Sequence, residues 1–158
     1  MSAVTTRLFA NLDTGDLSDY FGKRKISGEL FFKARDAAVI GIQFYRGVGT
    51  PVLLEVGSRV TFAIAGKKIY GGTYLASVAY GGFTAATTTE ATGQTDTDFY
   101  RGALDLDQTA ITTAIGDSLP GIDGNAEVSV DLGAATRIFT TRTIPVRIEN
   151  DVVRGTEA

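Results

Sequence analysis

Three pairs of carboxylates in this chain stand two residues apart: Asp96 and Asp98, Asp105 and Asp107, and Glu149 and Asp151. Along a strand, that spacing puts both groups on one face, where they could hold a hard cation or divide the roles of acid and base. Each pair also adjoins a turn, where Asp is favoured for capping and for local turn bonds, so the reading adopted for each is structural. None belongs to the Gly-punctuated series of acids that an EF-hand requires. The chain contains neither His nor Cys. That removes the commonest general base, the commonest zinc ligand, disulfides and thiolate chemistry. Ser118 lies in "GDS" after a helical segment, with no imidazole to activate it, and so is no nucleophile elbow. The Gly pairs in "YGGTY" and "YGGF" lack the Lys-Ser/Thr ending of a phosphate-binding loop and read as hairpin corners. The predicted sets of catalytic, cofactor-binding and metal-ligating residues are therefore empty, and the expectation is a non-enzyme without cofactor. One binding constellation stays open: Tyr70, Tyr74, Tyr80 and Phe83 could form a sugar-stacking platform, although at strand spacing core or sheet-face packing is the plainer reading.

The totals fit a single folded domain. The 158 residues suffice to bury roughly 70% of the surface an unfolded chain exposes. Hydrophobic residues make up 44% and charged residues 21%, which excludes a disordered chain. The net charge of −3 argues against nucleic acid as a partner, since phosphate binding needs a concentrated basic face. The one basic run, Lys23-Arg24-Lys25, has no interleaved aromatics and reads as a solvated loop. No apolar run approaches a membrane span and no signal-peptide core is visible. Membrane is thus not an expected partner, and synthesis in a cytoplasm is expected.

Period-two alternation positions everything else. Val60, Phe62 and Ile64 alternate with Arg59, Thr61 and Ala63; Val128, Val130 and Leu132 alternate with Glu127, Ser129 and Asp131. In "AVIGIQFYRG" both faces carry apolar residues, which predicts a strand that is central or partly covered on both faces. Further strands are expected through Tyr74–Tyr80, Tyr100–Leu106 and, as one long strand, Thr136–Ile148. Gly- and Asp-rich corners punctuate them, and "GIDGN" reads as a turn before the strand at 126–132. Pro145 predicts an edge strand or a local break, and a bulge near 141–143 would keep Arg142 off the apolar face. The fold class that follows is all-β, an antiparallel β-sandwich of Ig-like or jelly-roll-like kind, with one short helix near 107–115. Asp107 is the expected helix cap, Leu106 and Ile111 the staple, and Gly116 the left-handed exit. The organisation reads as an N-terminal arm or first strand with a polar loop over 1–27, the sandwich over 28–150, and a C-terminal tail over 151–158. The Thr-rich stretch 84–97 reads as a long hairpin loop, either mobile or, through Thr87, Thr88, Thr89 and Glu90, an interaction element.

Five segments carry a family resemblance: "FFKARDAAVIGIQFYRGVGTP", "GSRVTFAIAGK", "FYRGALDLDQTAITTAIG", "NAEVSVDL" and "RIFTTRTIPVRIENDVVRG". In this order they resemble small β-rich proteins of bacteriophage tails and virions, similar in outline to the N-terminal domain of upper baseplate proteins. The match runs over about 28–155. It is most specific in the L-x-L segment before the helix and in the terminal "VRIENDVVRG". The resemblance implies a structural virion component in a tail, baseplate, fibre-attachment or capsid-decoration position. Its implied partners are itself, as a homo-oligomer, and neighbouring virion proteins. On this reading Asn150, Asp151, Val152, Val153 and Arg154 leave the sandwich to dock on a neighbour, as against simple fraying of a terminus. The alternative function is a host-surface or glycan-binding β-sandwich using the four-aromatic platform.

Overall fold

A computed structural model describes residues 3–18, 30–47, 49–90, 95–132 and 136–152. Two six-stranded sheets pack face to face. The first contains β1 (Thr6–Asn11), β2 (Leu17–Ser18), β4 (Ala37–Arg46), β5 (Thr50–Val52), β8 (Phe83–Thr84) and β9 (Tyr100–Asp105), in the order β2-β1-β4-β9-β8, with β5 also on β4. The second contains β3 (Leu30–Lys33), β6 (Ser58–Gly66), β7 (Ala76–Val78), β10 (Gly121–Leu132), β11 (Thr136–Thr140) and β12 (Ile144–Glu149). Its order is β3-β12-β10-β6-β7, with β11 also on β10.

The all-β sandwich with one short helix stands. The sheets are mixed, however, where antiparallel pairing alone was expected. β1 runs parallel to β4, and β3 runs parallel to β12. Parallel neighbours need a long crossover between them, and here the chain supplies it by leaving one sheet for the other. Alternation in sequence says which face a strand buries; it carries no information about the direction of the neighbour.

The alternating apolar positions meet between the sheets. Ile40, Ile42 and Phe44 of β4, with Leu8 and Ala10 of β1 and Leu104 of β9, face Val60, Phe62 and Ile64 of β6, Val128 and Val130 of β10, and Val146 and Ile148 of β12. Each fully buried side chain of this size contributes about 1.5–3 kcal/mol through removal from water. As expected, β4 is central and covered on both faces. Its outward side carries a second small cluster, Phe9, Tyr45 and Phe99 with Val4 against them. Gly41 makes this possible, since a Cβ there would come within 2.7 Å of the Val4 side chain.

Two local expectations change and a third is met. Asp123-Gly124-Asn125 makes no turn: it runs straight through β10, paired with β12 on one side and with β6 on the other. Gly124 is needed there for closeness rather than for a positive φ, because a Cβ would collide with the Ala65 carbonyl oxygen. Pro145 lies in an interior strand, since β12 is flanked by β10 and β3; the parallel pairing with β3 begins one residue later, at Val146. The bulge near 141–143 is present. Ser129 stands opposite Thr140 and Ala126 opposite Ile144, so Glu127 and Val128 face three residues. Thr141 fills the irregularity: its N–H donates to the Val128 carbonyl, and its hydroxyl accepts from the Val128 N–H. Arg142 is thereby exposed, and the register change puts Phe139 against the core while Ile138 faces out.

The helix α1 (Thr109–Ile115) lays Ile111 and Ile115 into the core, with Leu106 beside them. Its N-cap is Gln108, not Asp107, and it makes no side-chain cap bond. Asp107 instead gives its backbone N–H to the Asp105 carboxylate. Gly116 takes the positive φ of 58° expected at the exit.

Candidate interaction surfaces

Two of the three carboxylate pairs, Asp96 with Asp98 and Glu149 with Asp151, are given separate partners by the fold. Asp98 is 1% exposed and closes a capping box on the 3-10 turn Asp96–Asp98. It accepts from the Thr88 hydroxyl at 2.7 Å, the Thr95 hydroxyl at 2.8 Å and the Thr95 N–H at 3.1 Å. Burial alone would raise its pKa, but these donors together outweigh it and hold the carboxyl below its ordinary value. Asp96 points elsewhere, 3.9 Å from Arg7. Asp105 bonds the Asp107 backbone. Glu149 lies 3.5 Å from Lys33, and Asp151 lies 2.9 Å from Arg35. Among the described residues no three acids, His or Cys are grouped to hold a metal ion.

The same Asp98 network decides where the Thr-rich loop sits. Thr87 and Thr88 donate backbone N–H groups to the Thr97 carbonyl, and the buried Gln43 side chain donates to the carbonyl of Glu90. Thr87, Thr88, Thr89 and Glu90 are thus tied over the outer face of β4, with their side chains at the surface. Residues 91–94 lie outside the described part.

At the C-terminal end, Asn150 and Asp151 act as an internal clasp. The Asn150 amide donates to the carbonyls of Gly116 and Leu119, and its own N–H donates to the Pro120 carbonyl. Arg35, held at a φ of +72°, reaches both Asn150 and Asp151. A non-Gly residue in that region costs about 1–3 kcal/mol, which the surrounding bonds offset. The corner welds the β3–β4 turn, the exit of α1 and the end of β12. Beyond it, Val152 is 93% exposed; Val153 and Arg154 lie outside the described residues. The sequence offered no signal for Arg35, whose role depends on two elements more than a hundred residues apart.

That corner closes one margin of the second sheet. β3 is its edge strand, and Phe31 there is 64% exposed. The Ala34 N–H donates to the Glu149 carbonyl. By alternation, the backbone groups of Phe31 and the N–H of Lys33 face the side of β3 left open among the described residues, while the Lys33 carbonyl accepts from the Asp36 N–H. Beside Phe31 a notch of about 280 Å³ runs between the sheets, lined by Thr5, Thr6, Lys33, Asp36 and Leu106 among others. Of the other strands paired on one side only, β2, β5, β7 and β8 are two or three residues long, which limits pairing with another chain, while β11, on β10, has five residues.

The four-aromatic platform does not form as expected. Tyr70 and Tyr74, 76% and 46% exposed, stand in the β6–β7 connection beside a groove of about 420 Å³ on the outer face of β6 and β10. Phe83 belongs to the other sheet, where it packs against Gly102. The side chain of Tyr80 lies outside the described residues; its backbone opens the 3-10 turn Tyr80–Gly82.

No known protein family and no curated protein matches the chain. Among solved structures it is similar to the N-terminal domain of phage TP901-1 ORF48, at 12% identity and a TM-score of 0.48, over 90% of this chain and 96% of that one. No described helix is long and apolar enough to cross a membrane.

Proposed function

We propose that the protein is a non-enzymatic structural component of a bacteriophage virion, made in the host cytoplasm and acting through oligomeric assembly in a tail, baseplate, fibre-attachment or capsid-decoration position. Its partners are copies of itself and neighbouring virion proteins, with no part played by nucleic acid or membrane. The observation that carries the assembly reading is the margin formed by β3 and the end of β12. It combines edge backbone groups, an exposed Phe31, the adjoining notch, and an exposed Val152 launched from a braced corner. An edge strand with apolar side chains on it is a template for another chain. The acids that might have done chemistry hold turns, loop and corner together, which supports a structural role.

The test is the solution mass by light scattering. Full-length protein is expected as a closed oligomer, and Phe31→Ser combined with removal of 152–158 is expected as a folded monomer. The truncation is placed after Asp151 so that the Arg35 clasp survives. A monomeric full-length chain that binds no virion neighbour, or an oligomer untouched by the double change, would overturn the proposal.

A further inference from the structure

The groove beneath Tyr70 and Tyr74 serves no part of the assembly reading. Its floor has two unlike rows. On β6 the outward residues are Thr61, Ala63 and Ala65, small enough to leave the sheet bare. On β10 they are Asn125, Glu127, Ser129 and Asp131, each able to hydrogen-bond, and the ladder sets Asn125 opposite Ala65, Glu127 opposite Ala63, Ser129 opposite Thr61 and Asp131 opposite Arg59. The rows lie about 4.8 Å apart, and successive outward side chains about 6.7 Å apart. Ile69, Tyr70 and Tyr74 form the wall. The connection can overhang the sheet because Gly71 and Gly72 take φ values of 86° and 95°, which suit Gly.

We infer that this groove binds a neutral saccharide. Three features select that chemistry. First, a ligand lying on the floor meets side chains and not a free strand edge: β10 lies between β6 and the β11–β12 segment, and β6 pairs with β10 along its length and with β7 over Phe62–Ile64. A ligand must therefore bond to side chains, so it must itself be rich in hydroxyls or amides. Second, an apolar wall and bare patch beside a row of donors and acceptors match a pyranose, which has an apolar ring face and a rim of hydroxyls; exposed tyrosines supply broad contact at low entropic cost. Third, Glu127 is half-buried in mid-groove with no cation paired to it among the described residues. It can accept from two hydroxyls, and it repels uronic, sialic or phosphorylated sugars. The groove binds without cleaving. Glu127 and Asp131, four residues apart on one strand, have Cα positions about 13 Å apart, a wide base for the ~5–9.5 Å carboxylate spacing of glycosidases.

The experiment is NMR titration of the full chain with maltotetraose, cellotetraose and chitotetraose, with a galacturonate trimer as the anionic control and spermine as the cationic one. At least one neutral tetrasaccharide is expected to shift the amides of Ala63, Ala65 and Ser129. Tyr70→Ala with Tyr74→Ala should weaken that binding about tenfold or more. Both side chains are exposed, so the fold is kept, and Phe31→Ser should leave the affinity unchanged. The inference is overturned if none of the three neutral sugars shifts these amides, if the shifts map elsewhere, if the double variant binds as well as the parent, or if only spermine or the galacturonate trimer binds the groove.

Discussion

At the scale of single residues, burial and hydrogen bonding pull Asp98 in opposite directions, and the Thr88 and Thr95 donors prevail. A folded pKa below the ordinary value means that its stabilising contribution is present above the unfolded pKa near 3.8 and is lost as pH falls through the folded one. Thr88→Val removes one donor and raises the Asp98 pKa. Thermal melts between about pH 2 and 5 are expected to show a smaller acid loss that is complete at higher pH in that variant. An unchanged acid limb would refute the account. Asp98→Ala should cost about 2–3 kcal/mol at neutral pH by urea denaturation, because the Thr95 N–H and two hydroxyls lose a charged acceptor. Gly124 illustrates a different constraint. Gly124→Ala forces a methyl group onto the Ala65 carbonyl and should cost about 1–3 kcal/mol, whereas a Gly in a free turn would tolerate Ala better wherever its φ is negative.

At the scale of elements, the helix gives the clearest contrast between local pattern and tertiary setting. The spacing of Ile111 and Ile115 declared a helix, and both side chains are in the core. The cap was misplaced by one residue because Asp105 captures the Asp107 backbone before the helix begins. Asp107→Ala is therefore expected to change stability by less than about 0.5 kcal/mol, and Ile111→Ala to cost about 2–4 kcal/mol, both read from urea midpoints. A loss above 1 kcal/mol, a typical cap effect, in the Asp107 variant would restore it as the cap. Asn150→Ala leaves the carbonyls of Gly116 and Leu119 without that donor and should cost about 1–2 kcal/mol.

At the scale of the whole molecule, the margin at β3 predicts how assembly responds to salt. The groups proposed to meet a neighbour are Phe31, Val152 and backbone amides, while the nearby Lys33–Glu149 ion pair is about half exposed and screened. Assembly through apolar and backbone contacts should persist from about 0.05 to 0.5 M salt, over which the Debye length shrinks severalfold. Sedimentation velocity checks this, and dissociation to monomers at the higher salt would show that charge pairing holds the subunits. The sandwich itself was legible in the sequence because two-residue alternation records burial directly. The margin was not: "LFFK" shows two adjacent phenylalanines, and only the sheet shows that Phe32 turns into the core while Phe31 turns out. The groove was half legible. Glu127, Ser129 and Asp131 were placed outward by alternation, but Tyr70 and Tyr74 could not be separated from Phe83 without knowing that Phe83 crosses to the other sheet.

By itself the sequence determined the local terms: which residues alternate into a core, where one short helix forms, where Gly116 ends it, and that His and Cys chemistry are excluded. Each of these depends on neighbours a few residues away and on side-chain solubility. Tertiary structure alone decided that β1 pairs in parallel with β4 and β3 with β12, that Asp-Gly runs through a strand, that Asp98 and Asp96 take separate partners, and that Arg35 meets Asp151. Those outcomes depend on backbone hydrogen bonds and close approaches between distant segments, whose partners are chosen only when the two sheets come together.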